Sequence, residues 1–386
     1  MDDLFFTDEH RMLVDMVRDF ARNEIAPRSQ DMDETGTFPE DLVRDMGQLG
    51  LMGIPVPEAY GGAGMDMVAY AAAVMEVAKV DASVAITLAA HTSLGTMPIV
   101  LAGTEEQKQR FVPPLASGDM LGAFGLTEPS AGSDAGATKT TAVKEGDHYR
   151  INGSKMFITN AGYAGLLNLT ARVQEDGEDK GIGAFIVPTT TPGVKIMPPE
   201  KKMGWRASDT RQLFFEDVIV PADQTLGSAA GGFKTFLQTL TGGRISVAAL
   251  AVGTAQGAYE KALQYATERT AFGKTICDIQ AVGFKLADMA TRIEAAKLLV
   301  FHTAWEKDQG RDVVKTAAMA KLFASETAMD VTTDAIQIHG GYGYVKEYDV
   351  ERYFRDAKVL EIGEGTSEIQ RLIIKREIIK DITPSV

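Results

Sequence analysis

Apolar residues return every three or four positions over the first 118 residues, as helices with one buried face require. Leu13, Met16, Val17 and Phe20 fall on one such face, with Thr7 and His10 just ahead of them as a start signal. Turns interrupt the helical reading at Ile54-Pro55-Val56-Pro57 and Tyr60-Gly61-Gly62. Over residues 119–227 the period drops to two, as in Thr141-Ala142-Val143, Tyr149-Arg150-Ile151, Gly183-Ala184-Phe185-Ile186-Val187 and Gln212-Leu213-Phe214-Phe215. Polar turns at Glu145-Gly146-Asp147 and Asn152-Gly153 separate these runs, which predicts an antiparallel β-domain; the charged stretch from Gln174 to Lys180 reads as a hairpin tip. Beyond Gly231 the helical period resumes, and Val282, Leu286, Met289, Ile293, Ala296 and Val300 form one stripe of a long helix packed against others in a bundle. Helices, then strands, then helices give an α+β chain, mainly α, in three parts: 1–118, 119–227 and 228–386.

Composition narrows the setting. A chain of 386 residues that is 45% hydrophobic has enough apolar matter for two or three packed units. Its 53 acidic against 39 basic side chains leave a net charge of −14, which argues against a nucleic-acid surface and requires a local cationic patch for any anionic ligand. Cys277 is the only cysteine, so no intramolecular disulfide or multi-cysteine metal site exists. The opening Met1-Asp2-Asp3-Leu4-Phe5-Phe6 resembles neither a signal peptide nor an Arg-rich transit peptide. A bacterial cytoplasmic setting is expected, or the mitochondrial matrix for a processed organellar chain. No run near the roughly 20 apolar residues of a membrane span is expected.

Nucleotide and metal signatures are missing. There is no G-x-G-x-x-G between strand and helix, no G-x-x-x-x-G-K-[ST] and no H-E-x-x-H, and the five histidines are scattered from His10 to His339, so no metal is expected. The run Phe124-Gly125-Leu126-Thr127-Glu128-Pro129-Ser130-Ala131-Gly132-Ser133-Asp134 is more informative. Its small residues let a planar ligand lie against the backbone, and Thr127 and Ser133 offer hydroxyl and amide donors; by composition alone it is equally well a surface loop. Near the C-terminal end Glu364 stands between Gly363 and Gly365, so its backbone can come close to a ligand and its carboxylate can be aimed inward. The plainer reading is that Gly365-Thr366-Ser367 only starts the last helix.

Five segments in order carry a resemblance over nearly the whole chain. They are Leu126-Thr127-Glu128-Pro129 with Ala131-Gly132-Ser133-Asp134, Asn152-Gly153-Ser154-Lys155-Met156-Phe157-Ile158-Thr159-Asn160, Glu268-Arg269-Thr270-Ala271-Phe272-Gly273-Lys274, Gln337-Ile338-His339-Gly340-Gly341-Tyr342-Gly343 and Glu364-Gly365-Thr366-Ser367. Together they resemble the acyl-CoA dehydrogenase family. The resemblance implies an N-terminal helical domain, a middle barrel-like β-domain and a C-terminal four-helix bundle, with FAD as cofactor and an acyl-CoA as substrate. It implies α,β-dehydrogenation to a trans-2-enoyl-CoA with Glu364 as catalytic base, and electrons passed to an electron-transfer flavoprotein. The flavin ring is expected between Phe124, Leu126, Thr127, Gly132 and Ser133 on one side and Phe157, Ile158 and Thr159 on the other, bordered by Thr366, Ser367 and Glu368. The adenine and pyrophosphate end is expected at Arg269, Phe272, Gln280, Gln337, Gly340 and Gly341 across a subunit interface, hence a homo-oligomer, most simply a tetramer.

Substrate contacts implied by the same resemblance are Ser133, Arg244, Gly365 and Gly363, with Thr96, Met97 and Val100 as the far wall of the acyl pocket. One subgroup of the family carries its base just before the arginine that matches Arg244; here that residue is Gly243, which cannot accept a proton. Thr241 replaces an aspartate common in the family, and Gly363 replaces the tyrosine of many straight-chain members. The second replacement either opens room for a branched or cyclic acyl group or is refilled by a neighbour. His91 is either a polar end to the pocket or a packed core residue. Enoyl-CoA reduction, an oxygen-using acyl-CoA oxidase and a non-catalytic assembly protein of the same fold are the competing functions.

Overall fold

A computed structural model describes residues 2–228 and 232–382 of the chain; residues 229–231, where the sequence places the return of helical spacing, and 383–386 lie outside the described residues. The N-terminal helices are α1 (Asp2–Phe5), α2 (Asp8–Phe20), α3 (Ser29–Thr35), α4 (Glu40–Gln48), α5 (Met67–Ala78), α6 (Ala82–Ala89), α7 (Met97–Ala102) and α8 (Glu105–Ala116). Thr7 caps α2 as expected, in a reciprocal box with His10, and Val17 and Phe20 are buried. The strands are β1 (Leu121–Gly125), β2 (Thr141–Glu145), β3 (His148–Thr159), β4 (Ala164–Glu175), β5 (Glu178–Pro188), β6 (Val194–Pro199) and β7 (Thr210–Pro221). After them come α9 (Gly232–Glu268), a hairpin of β8 (Thr270–Ala271) and β9 (Lys274–Thr275), α10 (Gln280–Asp308), α11 (Val314–His339), α12 (Val350–Lys358) and α13 (Ser367–Ile382).

The seven-stranded sheet runs β1-β4-β2-β3-β7-β6, with β5 on the other edge of β4. It is mixed, not wholly antiparallel: β1 and β2 both pair with β4 in parallel, end to end along one edge. Alternation predicts which face a side chain takes but reads the same in either chain direction, so the sequence left strand direction open. The hairpin tip expected at Gln174 to Lys180 is the β4–β5 turn.

In the bundle, α9 is buried on nearly every face from Ile245 to Val252, because α5 lies against one side and α11 against the other. The α10 stripe faces this core, with Leu286, Met289, Ile293, Ala296 and Val300 buried and Val282 at its margin. Contrary to the sequence expectation, one helical run, Ala82–Ala102, is long and apolar enough by length and composition to cross a membrane. Threonine, serine and histidine among its apolar residues hid it from a reading that sought unbroken apolarity. It is mostly buried inside the protein, which is the state of a core helix.

That run is what joins the helical and β-parts. Its middle, Ala90–Thr96, widens into a π-type turn and crosses β1 at a glycine pair: a methyl group on Gly95 would stand 2.7 Å from Gly122 Cα. Around the crossing, Asn168 Nδ2 donates to the Leu94 and Gly95 carbonyls at 3.1 and 2.7 Å. The Gly122 N–H donates to His91 Nδ1 at 3.0 Å, and His91 Nε2 donates to the Leu115 carbonyl at 2.9 Å. Burial pushes the His91 imidazole down to about 4, so it stays neutral and serves as a core bracket. Of the two readings of His91, the packed one stands.

A second bracket precedes Glu364. On α12, Arg355 pairs with Asp33 at 2.6 Å, Arg352 reaches Asp81 at 3.4 Å, and the Asp356 carboxylate accepts the Trp205 N–H at 2.6 Å. One helix thereby ties down all three parts of the chain just before the glycine-flanked turn.

Candidate active site

After α12 the chain makes a tight turn over Val359–Glu361, with the Gly363 N–H returning to the Val359 carbonyl at 2.8 Å. Glu364 then adopts φ 51°, a left-handed conformation that costs a side-chain-bearing residue about 1–2 kcal/mol. The neighbouring structure enforces it. Lys321 Nζ donates to the Gly365 carbonyl at 2.9 Å, and Gln370 Nε2 donates to the Gly365 and Glu364 carbonyls at 2.8 and 3.2 Å. An observed outlier held from two sides is the kind of local strain that marks functional sites.

The turn aims the Glu364 side chain at α9. A methyl group on Gly243 would stand 2.3 Å from Glu364 Oε2 and 3.3 Å from Leu94 Cδ2. The position at which the family's other subgroup carries its base therefore abuts the space that this carboxylate fills. Glu364 as a residue is only half-buried, but its Oε2 is sealed from solvent and has no hydrogen-bond partner. Burial pushes the carboxyl up to about 7, against the pull of Lys321 and Arg244. Arg244 is itself buried, with Nε unpartnered. Two buried polar atoms without partners in one place indicate groups that a ligand completes.

The other segment marked by the sequence runs from Leu126 to Asp134. It is anchored by a pair the sequence reading quoted but gave no role, Glu128 and Lys155, both buried. Glu128 Oε1 accepts from Lys155 Nζ at 2.8 Å and from the Thr140 N–H at 3.0 Å, and Oε2 accepts from the Lys139 N–H at 2.7 Å. Lys155 also donates to the Leu126 carbonyl and to Thr170 Oγ1, each at 3.1 Å. Burial alone would raise the Glu128 carboxyl, but the Lys155 ammonium and the two N–H groups outweigh it and hold it below the usual range. A signal was present: the period-two phase that buries Tyr149 and Ile151 also puts Lys155 in the core row.

The expected flavin residues divide. The Met156 N–H donates to the Thr127 carbonyl at 2.8 Å, so the loop and β3 do meet. Leu126 and Thr127 are half-buried, Gly132 and Ser133 are exposed, and no heavy atom lies within 4 Å of where a Gly132 side chain would begin. Phe157 takes φ 60° and exposes 59% of its surface, an open apolar ring beside half-buried Thr159. Ile158, by contrast, sends its side chain into the sheet core, leaving only its backbone for a ligand. Phe124 stacks on Phe236 with ring centroids 4.3 Å apart. Ser367 Oγ and Gln370 Oε1 are sealed without partners, so an open apolar face and orphaned polar atoms are both available. This donor set fits a flat ring with polar edges such as that of FAD; Thr366 is half-buried and Glu368 exposed.

Arg269, Phe272, Gln280, Gln337, Gly340 and Gly341 are all exposed. Arg269 lies over the Tyr342 ring at 5.7 Å, which brings the β8–β9 hairpin to the Gly340–Gly341 segment. Phe272, at φ 53° and 94% exposed, has no packing role within its own chain.

Next to the expected acyl wall a further side chain comes forward. Leu94, which the sequence reading did not single out, is the residue of the π-type turn beside Gly243 and Glu364. Thr96 turns its hydroxyl to the His91 carbonyl at 3.1 Å, while Met97 and Val100 pack into the cluster that holds Phe111, Phe124 and Phe236. Thr241 is buried, with its hydroxyl on the Leu237 carbonyl at 3.0 Å. Among the described residues, only the Val359 carbonyl comes within 4 Å of where a Gly363 side chain would begin, at 3.4 Å.

Known proteins share this fold over nearly the whole chain. Residues 7–119 match the N-terminal domain of acyl-CoA dehydrogenases, 123–218 the middle domain and 230–379 the C-terminal domain. The chain is 56% identical to a probable acyl-CoA dehydrogenase of Bacillus subtilis (strain 168), over 97% of this chain and 99% of that one. Among solved structures it resembles one described as the electron transferring flavoprotein of Acidaminococcus fermentans (TM-score 0.95, 47% identity, 97% of this chain and 99% of that one). It also resembles butyryl-CoA dehydrogenase from Megasphaera elsdenii (TM-score 0.94, 44% identity, 97% of this chain and 99% of that one). With all three domains matched in order around a sealed carboxylate, this chain belongs to the acyl-CoA dehydrogenase family.

Proposed function

We propose that Glu364 removes the α-proton of an acyl-CoA thioester in an FAD-dependent dehydrogenation that yields the trans-2-enoyl-CoA. The sealed, unpartnered Oε2 of Glu364 carries this reading. A carboxyl pushed up to about 7 is a far better base than an ordinary surface glutamate yet is still substantially ionised near neutral pH. FAD, when bound, supplies the acceptor for the hydride that leaves the β-carbon. The chain's own part is to hold the carboxylate beside the α-carbon, to exclude water with Leu94 and α9, and to orient the thioester. The Glu364 backbone N–H is assigned to the thioester carbonyl, and Arg244 and Ser133 to the substrate's polar end.

The partners follow the same reading. The exposed set Arg269, Phe272, Gln280, Gln337, Gly340 and Gly341 is assigned to the nucleotide end of FAD bound by a second copy, in a homotetramer. An electron-transfer flavoprotein is assigned as acceptor, since one similar structure is described as such a protein. The substrate class is a short acyl group, with room beside Gly363 for bulk near the α- and β-carbons.

Anaerobic mixing of the flavin-loaded protein with butanoyl-CoA should bleach the flavin, and turnover should be sustained by ferrocenium and not by dissolved oxygen. Equal turnover with oxygen would move the assignment to an oxidase, and a protein that takes up no flavin would make it an assembly factor. Across straight, branched and cyclic acyl-CoAs, Gly363→Tyr should lose more activity on the bulky members; equal losses would refute the enlarged pocket.

A further inference from the structure

Lys321 is a buried cation whose presence packing does not explain. Lys321 lies on the alanine face of α11, among buried Ala317, Ala320 and Ala324, and is 0% exposed. An ammonium among alanines is costly unless something needs it there. Its single hydrogen bond is not to a carboxylate but to the Gly365 carbonyl, at 2.9 Å, in the turn that carries Glu364.

We propose that Lys321 is a positioning residue for the base: its ammonium pins the left-handed turn at Glu364 through the Gly365 carbonyl and keeps a positive charge beside the carboxyl without occupying it. The inference rests on Glu364 being the base. Bonding to the carbonyl leaves both lone pairs of Oε2 free for a proton, which a direct ion pair would not do. The charge still acts through space: Lys321 is the larger of two cationic influences opposing the burial of Glu364, ahead of Arg244. Other groups bear on this balance. Tyr70 on α5 feels the Glu364 charge, Glu361 and Glu368 act on Lys321 from the turn's two ends, and Arg376 acts on Arg244. Burial lowers Lys321 itself to about 8, so it remains protonated where the base is working.

Charge and hydrogen bond can be separated. Lys321→Gln keeps a donor for the Gly365 carbonyl and loses the charge, Lys321→Met loses both, and Lys321→Arg keeps the charge. With the full-length, flavin-loaded protein, α-proton exchange of butanoyl-CoA in deuterated water is followed as a function of pH by mass spectrometry. The wild type should show a midpoint near 7, set by Glu364. Lys321→Gln and Lys321→Met should move that midpoint upward by about one pH unit, while Lys321→Arg leaves it in place. The plateau at high pH should survive in the glutamine variant and fall about tenfold in the methionine variant, which also removes one of the turn's two anchors. An unmoved midpoint in Lys321→Gln, with exchange scaled down equally at every pH, would overturn the proposal and leave Lys321 a packing residue. Should the methionine variant fail to fold, the glutamine variant alone decides. Persistent exchange in Glu364→Gln would instead overturn the base assignment, a result distinguishable from either outcome at Lys321.

Discussion

Two glutamates, Glu128, which is buried, and Glu364, which is half-buried with Oε2 sealed, show how one side chain takes opposite chemical states in one molecule. Glu128 is matched on both oxygens by Lys155 and two backbone N–H groups, so it is held ionised and locks a loop. Glu364 has two cations nearby but a hydrogen bond from neither: Lys321 is spent on a carbonyl, and Oε2 faces Gly243 and Leu94. Its carboxyl consequently sits near 7. The lesson is that burial alone does not make a base. What matters is whether the donors that would stabilise the anion reach the oxygens or stop at the backbone beside them.

The contrast is broken most severely by Glu364→Gln, which keeps shape and removes basicity. Flavin reduction by butanoyl-CoA, followed by stopped flow, should slow by at least about 10²–10⁴-fold while flavin content and ligand binding persist. Near-wild-type reduction would end the distinction between the two residues. Next in size is Lys155→Met, which strands the Glu128 anion in the core. Denaturant unfolding should show a loss of about 3–5 kcal/mol, and a loss below 1 kcal/mol would mean that the pair is not a lock.

Gly243→Ala tests the vacancy that Glu364 fills. The added methyl would stand 2.3 Å from Oε2 and must push the carboxylate aside. Steady-state kcat/KM should fall about 10–100-fold with the fold intact, since small displacements at a reacting centre are costly. Unchanged kinetics would show that the carboxylate works from another rotamer.

The smallest effect is a pH signature of opposite sign at the two sites. Glu364 has a folded value raised from 4.5 to about 7, so the folded protein holds a proton there that the unfolded chain releases, and stability drains as pH rises across that window. Glu364→Gln should therefore gain about 2–5 °C in Tm over the wild type at pH 8 and show no such gain at pH 4.5. Glu128, with a lowered folded value, contributes stability that is present above 4.5 and lost as pH falls through that lowered value. A Tm difference between Glu364→Gln and wild type that does not change with pH would refute the raised value.

Much of this was legible without coordinates, because periodicity reports burial directly. The α10 stripe, the capping of α2 by Thr7 and the β4–β5 hairpin were all readable from spacing. Glu364 stood out because glycines on both sides license a conformation that residues with side chains avoid, although the glutamate itself, at φ 51°, proved to bear the strain, while Gly365 takes φ 93° without it. Parallel pairing of β1 and β2 with β4 was not legible, since alternation carries no direction. Leu94 was not singled out because nothing in the sequence marked the π-type turn that brings it beside Gly243. Lys155 was visible in phase but not in meaning, as its partner lies 27 residues away.

Residue spacing, then, was enough to name most elements and their buried faces and to mark Glu364 as a glycine-flanked carboxylate, because these depend on neighbours within a few positions. Whether a carboxyl is locked as an anion or left ready to take a proton depends on which donors end within about 3 Å of its oxygens. Those donors, at Lys321, Arg244, Lys155 and Thr140, arrive from distant parts of the chain, and only the packed molecule decides which of them reach their target.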